Sequence, residues 1–239
     1  MRVLITRPSE DAERLAADLR SRGHEPILSP LMEIRYLDGP EIQLGDFQAV
    51  LATSANGIRA LARRTPDRHV PVFAVGAQTA AAAEAAGFAT IRNASGDAVS
   101  LGDATLKWAD PNEGPLLHAA GRERGGHLAE ALTPAGFSLK NVVLYEAVET
   151  AGFSQAALAA LINGELDAVM LFSPRSARLF AEHLRRARLK ENCHGIAALC
   201  ISQAAAEPLE NLHLKTVQLA RRPDQASMLA LLDETAAAP

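Results

Sequence analysis

Four short segments place small or hydroxyl-bearing residues between an apolar run and a helical pattern. They are Thr53-Ser54-Ala55-Asn56-Gly57, Val75-Gly76-Ala77-Gln78-Thr79, Phe172-Ser173-Pro174-Arg175-Ser176 and Ile201-Ser202-Gln203-Ala204. In an open parallel sheet the carboxyl ends of strands meet helix N-termini, whose unbonded N–H groups favour anions. A Ser or Thr at such a place is also an ordinary N-cap, and capping alone accounts for any single one of the four. Taken together they suit a ligand with several carboxylates, gripped through amides and hydroxyls at about 1.5–3 kcal/mol per charge-assisted hydrogen bond. Arg7 and Arg122, in matching turns after strand-like runs, add positive charge, although lone arginines are commonly solvated. The residues expected to contact a ligand are therefore Thr6, Arg7, Ser54, Asn56, Gly76, Gln78, Thr79, Arg122, Ser173, Pro174, Arg175, Ser202, Gln203 and Ala204.

The 2 tyrosines, Tyr36 and Tyr145, both fall in extended passages between helical patterns. A phenol with its reference pKa of about 10 stays neutral at pH 7 and can hand a proton to a departing hydroxyl. Tyrosines also suit half-buried linkers for packing reasons, and for Tyr36 that is the preferred reading. Other chemistries find little support. Gly121-Arg122-Glu123-Arg124-Gly125-Gly126 has the glycine interval of a phosphate-binding loop but lacks its lysine, and it is not G-x-G-x-x-G. The 7 histidines form no H-x-x-x-H pair, so no metal site is expected. No G-x-S-x-G elbow is present. Cys193 and Cys200 lack C-x-x-C spacing and read as buried free thiols in a reducing compartment.

What must position these residues is a layered α/β scaffold. Apolar runs at Val3 to Ile5, Ala49 to Ala52, Val72 to Val75, Leu116 to Leu117, Val142 to Leu144, Ala168 to Phe172 and Ala197 to Ile201 alternate with helical stretches. That alternation predicts parallel strands with crossover helices. The clearest helix is Asp11 to Arg22, stopped by Gly23; Gly125 to Ala135, stopped by Gly136, echoes it. The echo extends further: Leu15, Leu19 and Gly23 align with Leu128, Leu132 and Gly136, while Ser54 and Arg59 align with Ser173 and Arg178. The chain thus reads as a doubled pattern, A-B-A'-B'. It predicts two doubly wound parallel-sheet lobes, one discontinuous (1–35 plus 150–239) and one inserted (38–145). Extended crossings at 32–38 and 145–150 would pair as a two-stranded hinge; a single continuous sheet is the alternative.

Composition bounds the function. With 48% hydrophobic residues and 239 positions the chain can bury a sizeable core, built from aliphatics and alanine because aromatics are only 4%. A formal charge of -4 argues against a general nucleic-acid binder. No apolar run approaches the ~20 residues that span a bilayer. The opening Met1 to Pro8 enters a strand-like run with no apolar signal core, so the expected location is the cytoplasm. A monomer is expected.

The ordered set of motifs resembles a known family. Val3-Leu4-Ile5-Thr6-Arg7-Pro8, Gly23-His24-x-Pro26, Pro30-Leu31-x-Glu33-Ile34, Thr53-Ser54-Ala55-Asn56-Gly57, Val75-Gly76-x-x-Thr79-Ala80, Leu144-Tyr145 and Phe172-Ser173-Pro174-Arg175-Ser176 together resemble the bacterial uroporphyrinogen-III synthases. The resemblance runs from one end of the chain to the other. It implies two α/β lobes on a two-stranded connection and a substrate, hydroxymethylbilane, that is a linear tetrapyrrole with eight carboxylates. It also implies loss of the terminal hydroxyl to an azafulvene, a spiro intermediate, and closure with the last ring inverted, without metal, nucleotide or redox cofactor. Tyr145 matches the family's linker tyrosine, which the resemblance makes the candidate for assisting departure of the hydroxyl. One departure is visible: where some members carry hydroxyl residues at the last strand end, this chain has Gln203-Ala204-Ala205, leaving backbone amides for any contact there. The rival from another class is a non-enzymatic two-lobed anion-binding module.

Overall fold

A computed structural model describes residues 1–123 and 126–237. Strands and helices alternate along most of the chain, with β2, β3 and β4 following one another directly. In order they are β1 (Arg2–Ile5), α1 (Ser9–Ser21), β2 (Glu25–Leu28), β3 (Met32–Tyr36), β4 (Ala49–Ala52), α2 (Ala55–Ala62), β5 (Val72–Ala74) and α3 (Ala77–Ala85). There follow β6 (Ile91–Asn93), α4 (Ala98–Trp108), β7 (Leu116–Gly121), α5 (His127–Leu132), β8 (Leu139–Glu149) and α6 (Gln155–Ile162). The chain closes with β9 (Ala168–Leu171), α7 (Pro174–Ala187), β10 (Ala197–Cys200), α8 (Gln203–Ala206), β11 (Thr216–Leu219) and α9 (Gln225–Ala237).

These elements form two sheets, which replaces the single-sheet alternative. One has the order β11-β10-β9-β1-β2 and the other β3-β8-β7-β4-β5-β6. The chain divides into two compact units: Met1–Glu33 with Val148–Pro239, and Ile34–Ala147. In the first unit every registered pair is parallel, from Arg2 beside Glu25 to Cys200 beside Leu219. In the second, β4, β5, β6, β7 and β8 are likewise parallel. The exception is the edge pair β3 and β8. Leu37 N–H donates to Leu144 O and Thr150 N–H to Leu31 O, so one strand's numbering rises as the other's falls and the pair is antiparallel.

Parallel strands covered on both faces need apolar residues on both, which is why β4, β9 and β10 are buried at every position. In the second unit Val50 and Ala52 point to a core shared with Ile58 and Leu61 of α2 and Ala82 and Ala83 of α3. Their neighbours Ala49 and Leu51 point to the other face, against Leu101 of α4 and Leu128 and Leu132 of α5. In the first unit Val3 and Ile5 meet Leu15 and Leu19 of α1 and Met228 and Leu232 of α9. Leu4, Val169 and Leu171, one residue out of phase, are equally buried. Each such leucine contributes about 1.5–3 kcal/mol through removal from water.

The repeated helix stop is real in both halves. Gly23 and Gly136 take φ of +80° and +86°, where a side chain would be strained. Behind each, His24 N–H donates to Leu19 O and Phe137 N–H to Leu132 O. The second helix begins at His127 in the structure; Gly125, where the sequence pattern would start it, lies outside the described residues. Three strands are not apparent from the sequence pattern: β2, β6 and β11, which are edges of their sheets.

Candidate functional site

In a doubly wound sheet the place to look is beyond the carboxyl ends of the strands where the order reverses. In the first unit β1 is followed by β2 on one side, while β9, β10 and β11 build outward on the other, so the reversal lies between β1 and β9. In the second, β5 and β6 extend from one side of β4, and β7 and β8 from the other. The reversal there lies between β4 and β7. Thr6, Arg7, Ser173, Pro174 and Arg175 therefore flank one reversal, and Ser54, Asn56 and Arg122 the other. Gly76, Gln78 and Thr79 follow β5, and Ser202, Gln203 and Ala204 follow β10, each one strand away.

At the reversal of the second unit, Ser54 caps α2: its hydroxyl oxygen accepts the Asn56 N–H at 3.1 Å. The Asn56 side chain in turn accepts from Arg59 at 2.7 Å. The helix sits unusually close to the sheet because Gly57 has no side chain; a Cβ there would collide with the Ala119 carbonyl of β7. Beneath, buried His118 joins Thr53 Oγ1 at 3.2 Å and Asn141 Oδ1 at 2.8 Å, a polar tie across β4, β7 and β8.

Tyr145 reaches this place through an irregularity in the sheet. β7 and β8 pair in step up to Ala120 beside Val143, then the register shifts and Gly121 lies beside Tyr145. Such bulges re-aim side chains, and they gather near functional sites. The ring rests on Gly121, and the Tyr145 carbonyl accepts the Arg122 N–H at 2.8 Å. Burial pushes the phenol above its ordinary pKa of 10.0, and the Ser54 side chain opposes that push. Tyr36 differs: it packs against the core, with the Arg63 guanidinium 4.1 Å above its ring.

The arginines divide in behaviour. Arg122 is exposed and donates from Nε to Glu146 at 2.6 Å; Glu146 also meets Arg35 at 3.2 Å. Arg7 is tied down, with Nη2 2.9 Å from Asp11, Nη1 3.4 Å from Gln225, and its guanidinium 4.6 Å above the Phe172 ring. Thr6 is fully buried and donates to the Met170 carbonyl at 3.1 Å, so its hydroxyl braces β1 against β9. Thr6 continues the phase of Leu4, on a face of the sheet that is also buried.

The other predicted loops also resolve into detail. Ser173 and Ser176 form a reciprocal capping box at the start of α7, with Ser173 Oγ accepting from Ser176 N at 3.0 Å and Ser176 Oγ from Ser173 N at 3.2 Å. Pro174 and Arg175 open that helix. Gly76 stands before α3 without a side-chain cap; Gln78 is exposed and Thr79 buried. Ser202 precedes α8, which lasts only one turn, and Gln203 and Ala204 are exposed. Two participants escape a reading of the sequence. Gly121 stands out there only as part of a rejected phosphate-loop pattern, and Glu146 only by its place in the extended crossing at 145–150. No group of three His, Cys, Asp or Glu side chains suited to a metal occurs among the described residues. No helix among them is long and apolar enough to cross a membrane.

The family model described as uroporphyrinogen-III synthase HemD matches residues 13–230. The chain belongs to the uroporphyrinogen-III synthase family. A synthase of this kind from Helicobacter pylori, titled uroporphyrinogen-III synthetase, aligns over 98% of this chain and 99% of its own, with a TM-score of 0.64 at 16% identity. A mutant uroporphyrinogen III synthase from the extremely thermophilic bacterium Thermus thermophilus aligns over 99% and 98%, with a TM-score of 0.50 at 18% identity. At such identities the likeness shows the α/β fold. A protein of Methanocaldococcus jannaschii named "Putative uroporphyrinogen-III synthase" is 38% identical over 58 residues, and the match spans 24% of this chain and 24% of that relative.

Proposed function

We propose that this synthase-family chain dehydrates and cyclises hydroxymethylbilane, inverting the terminal pyrrole to give uroporphyrinogen III. The observation that carries the reading is Tyr145, the match to the family's linker tyrosine, with its ring seated on Gly121 at the register shift beside the strand-order reversal. In the proposed reaction the phenol gives its proton to the terminal hydroxyl, which leaves as water while the adjacent pyrrole nitrogen supplies the electron pair. The resulting azafulvene is attacked by the far ring at its substituted carbon. Fragmentation and reclosure follow, and the proton released as the last ring regains aromaticity restores the phenol.

The protein's main task is then to hold a flexible chain in one geometry. The strand-end loops that follow β1, β4, β5, β9 and β10 offer amides and hydroxyls for substrate carboxylates, and exposed Arg122 offers charge. The same proposal takes the protein to be a cytoplasmic monomer that uses no metal, nucleotide or redox cofactor.

A coupled assay tests it. Hydroxymethylbilane is generated in situ, the protein added, the products oxidised and the porphyrin isomers separated. Uncatalysed closure gives the type I isomer, so a shift to type III is expected. Type I alone from folded protein overturns the reading in favour of an anion-binding module.

A further inference from the structure

The last turn of α2 carries a second concentration of positive charge. α2 starts beside the carboxyl end of β4 and runs back for 8 residues, roughly 12 Å at the usual helical rise, so it ends toward the opposite end of the sheet from the strand-end loops. There Arg63, Arg64 and Arg68 line a cavity of about 390 Å³ together with Gly39 and Glu41. That volume falls within the range of small-ligand sites, about 300–1,000 Å³.

Two of the three guanidiniums build the wall. Arg68 donates to the carbonyls of Ala62, Thr65, Asp67 and Ala86, and Arg64 to those of Leu37 and Pro40. Gly39 makes room for the second, because a Cβ there would stand 2.5 Å from Arg64 Nη2. Arg63 differs. It is exposed, its guanidinium lies 4.1 Å over the Tyr36 ring, and that guanidinium donates to no group among the described residues. Its whole fork of N–H donors is therefore open.

The charge is also unbalanced. Among the described residues none of the three arginines forms an ion pair. The nearby acids are turned to other donors: Glu41 accepts from Gln43 Nε2 at 2.9 Å and Asp67 from the His69 N–H at 2.9 Å. The carbonyls at a helix C-terminus attract cations, which accounts for Arg68 at Ala62 O but not for Arg63. A guanidinium stacked on a ring with its fork open is suited to bidentate recognition of carboxylate or phosphate. We propose that this cavity binds a compact multivalent oxyanion, held by Arg63 against Tyr36 and by the N–H groups that Arg64 has left. It is a second anion site, apart from the strand-end loops.

Calorimetric titration of the full chain with inorganic pyrophosphate and, separately, with citrate tests this at constant ionic strength. The first stands for phosphate-bearing ligands and the second for polycarboxylates, so the tighter binder names the source. Saturable binding of at least one is expected. Arg63→Ala should weaken it by about 10- to 100-fold, the loss expected for hydrogen bonds to a charged group. Arg63→Gln keeps the stem over Tyr36 and drops the charge, and it should weaken binding as well. Both variants should melt as the parent does without anion, since the Arg63 guanidinium holds no other group in place. Arg122→Ala, at the strand ends, should bind as the parent does. Three results overturn the proposal: no saturable binding of either anion, parental affinity in Arg63→Ala and Arg63→Gln, or a loss confined to Arg122→Ala, which would put the anion at the strand-end loops.

Discussion

The ring of Tyr145 lies so close to Gly121 that a Cβ at position 121 would come 2.8 Å from the ring's Cζ and 3.0 Å from its hydroxyl oxygen. Gly121→Ala must therefore displace the phenol, since the obstructing atoms belong to that side chain. Turnover is expected to fall by about 10- to 100-fold, as small misplacements of reacting groups do. Steady-state kinetics beside a crystal structure of the variant would check both halves; full activity with a displaced ring would remove the requirement for this placement.

Tyr145→Phe keeps the ring on Gly121 and removes only the hydroxyl. Turnover should drop by about 10- to 1,000-fold, near the range of a lost general acid, with the folding transition unchanged. Single-turnover measurements are the appropriate readout, because slow product release would mask the chemical step. Equal rates for variant and parent in that regime would take the proton-donor role from this residue.

Arg7 and Arg122 should respond differently to truncation. From the sequence alone both suggest carboxylate contacts, yet Arg7 and Asp11 pair with side-chain exposures of 13% and 8%. Arg7→Ala removes a largely buried charge partner of Asp11 and is expected to cost about 3 kcal/mol of stability, measurable by urea unfolding. Arg122 is 63% exposed, so Arg122→Ala should change stability by less than about 1 kcal/mol. It should instead raise KM, more at low salt than at high.

The Glu149 carboxyl is held below its ordinary range first by the Arg186 guanidinium and next by the His183 ring. A carboxyl depressed in the folded state adds stability above its unfolded pKa of about 4.3, and that contribution disappears as pH falls through the lower folded value. Glu149→Gln should accordingly be less stable than the parent at pH 7 and converge with it under acid. Thermal melts at intervals from pH 7 to pH 3 would reveal the convergence; a constant difference would assign the effect to packing.

Both thiols should be inert in the native protein. Burial raises Cys200 to about 12, and burial with the Glu191 charge raises Cys193 to about 11. At pH 8 a thiol reagent should label neither until denaturant is added, and then both. Prompt labelling under native conditions would contradict the packing around β10.

The strands that can be read from the sequence are those buried on both faces, because β4, β9 and β10 present unbroken apolar runs. The edge strands β2, β6 and β11 cannot. Pro26 cannot donate to a ladder and so is confined to an edge, while Glu25, Arg92, Asn93 and Thr216 are exposed polar residues that give no unbroken apolar run. At the site, Tyr145 attracts notice by type and position. Its seat on Gly121 does not, since it depends on a one-residue shift in the pairing of β7 with β8. Thr6 shows the converse: its hydroxyl stands at a strand end, yet its burial and its bond to the Met170 carbonyl depend on β9 lying beside β1, which the sequence does not announce.

The strand order carries a consequence for synthesis. β1 acquires β2 within one short helical excursion, but its other neighbour is β9, with Val3 beside Ala168. The unit Ile34–Ala147 is one unbroken stretch and has all its strands before that moment. On the ribosome the middle of the chain can close its core first, while the opening strand waits half-paired for sequence not yet translated.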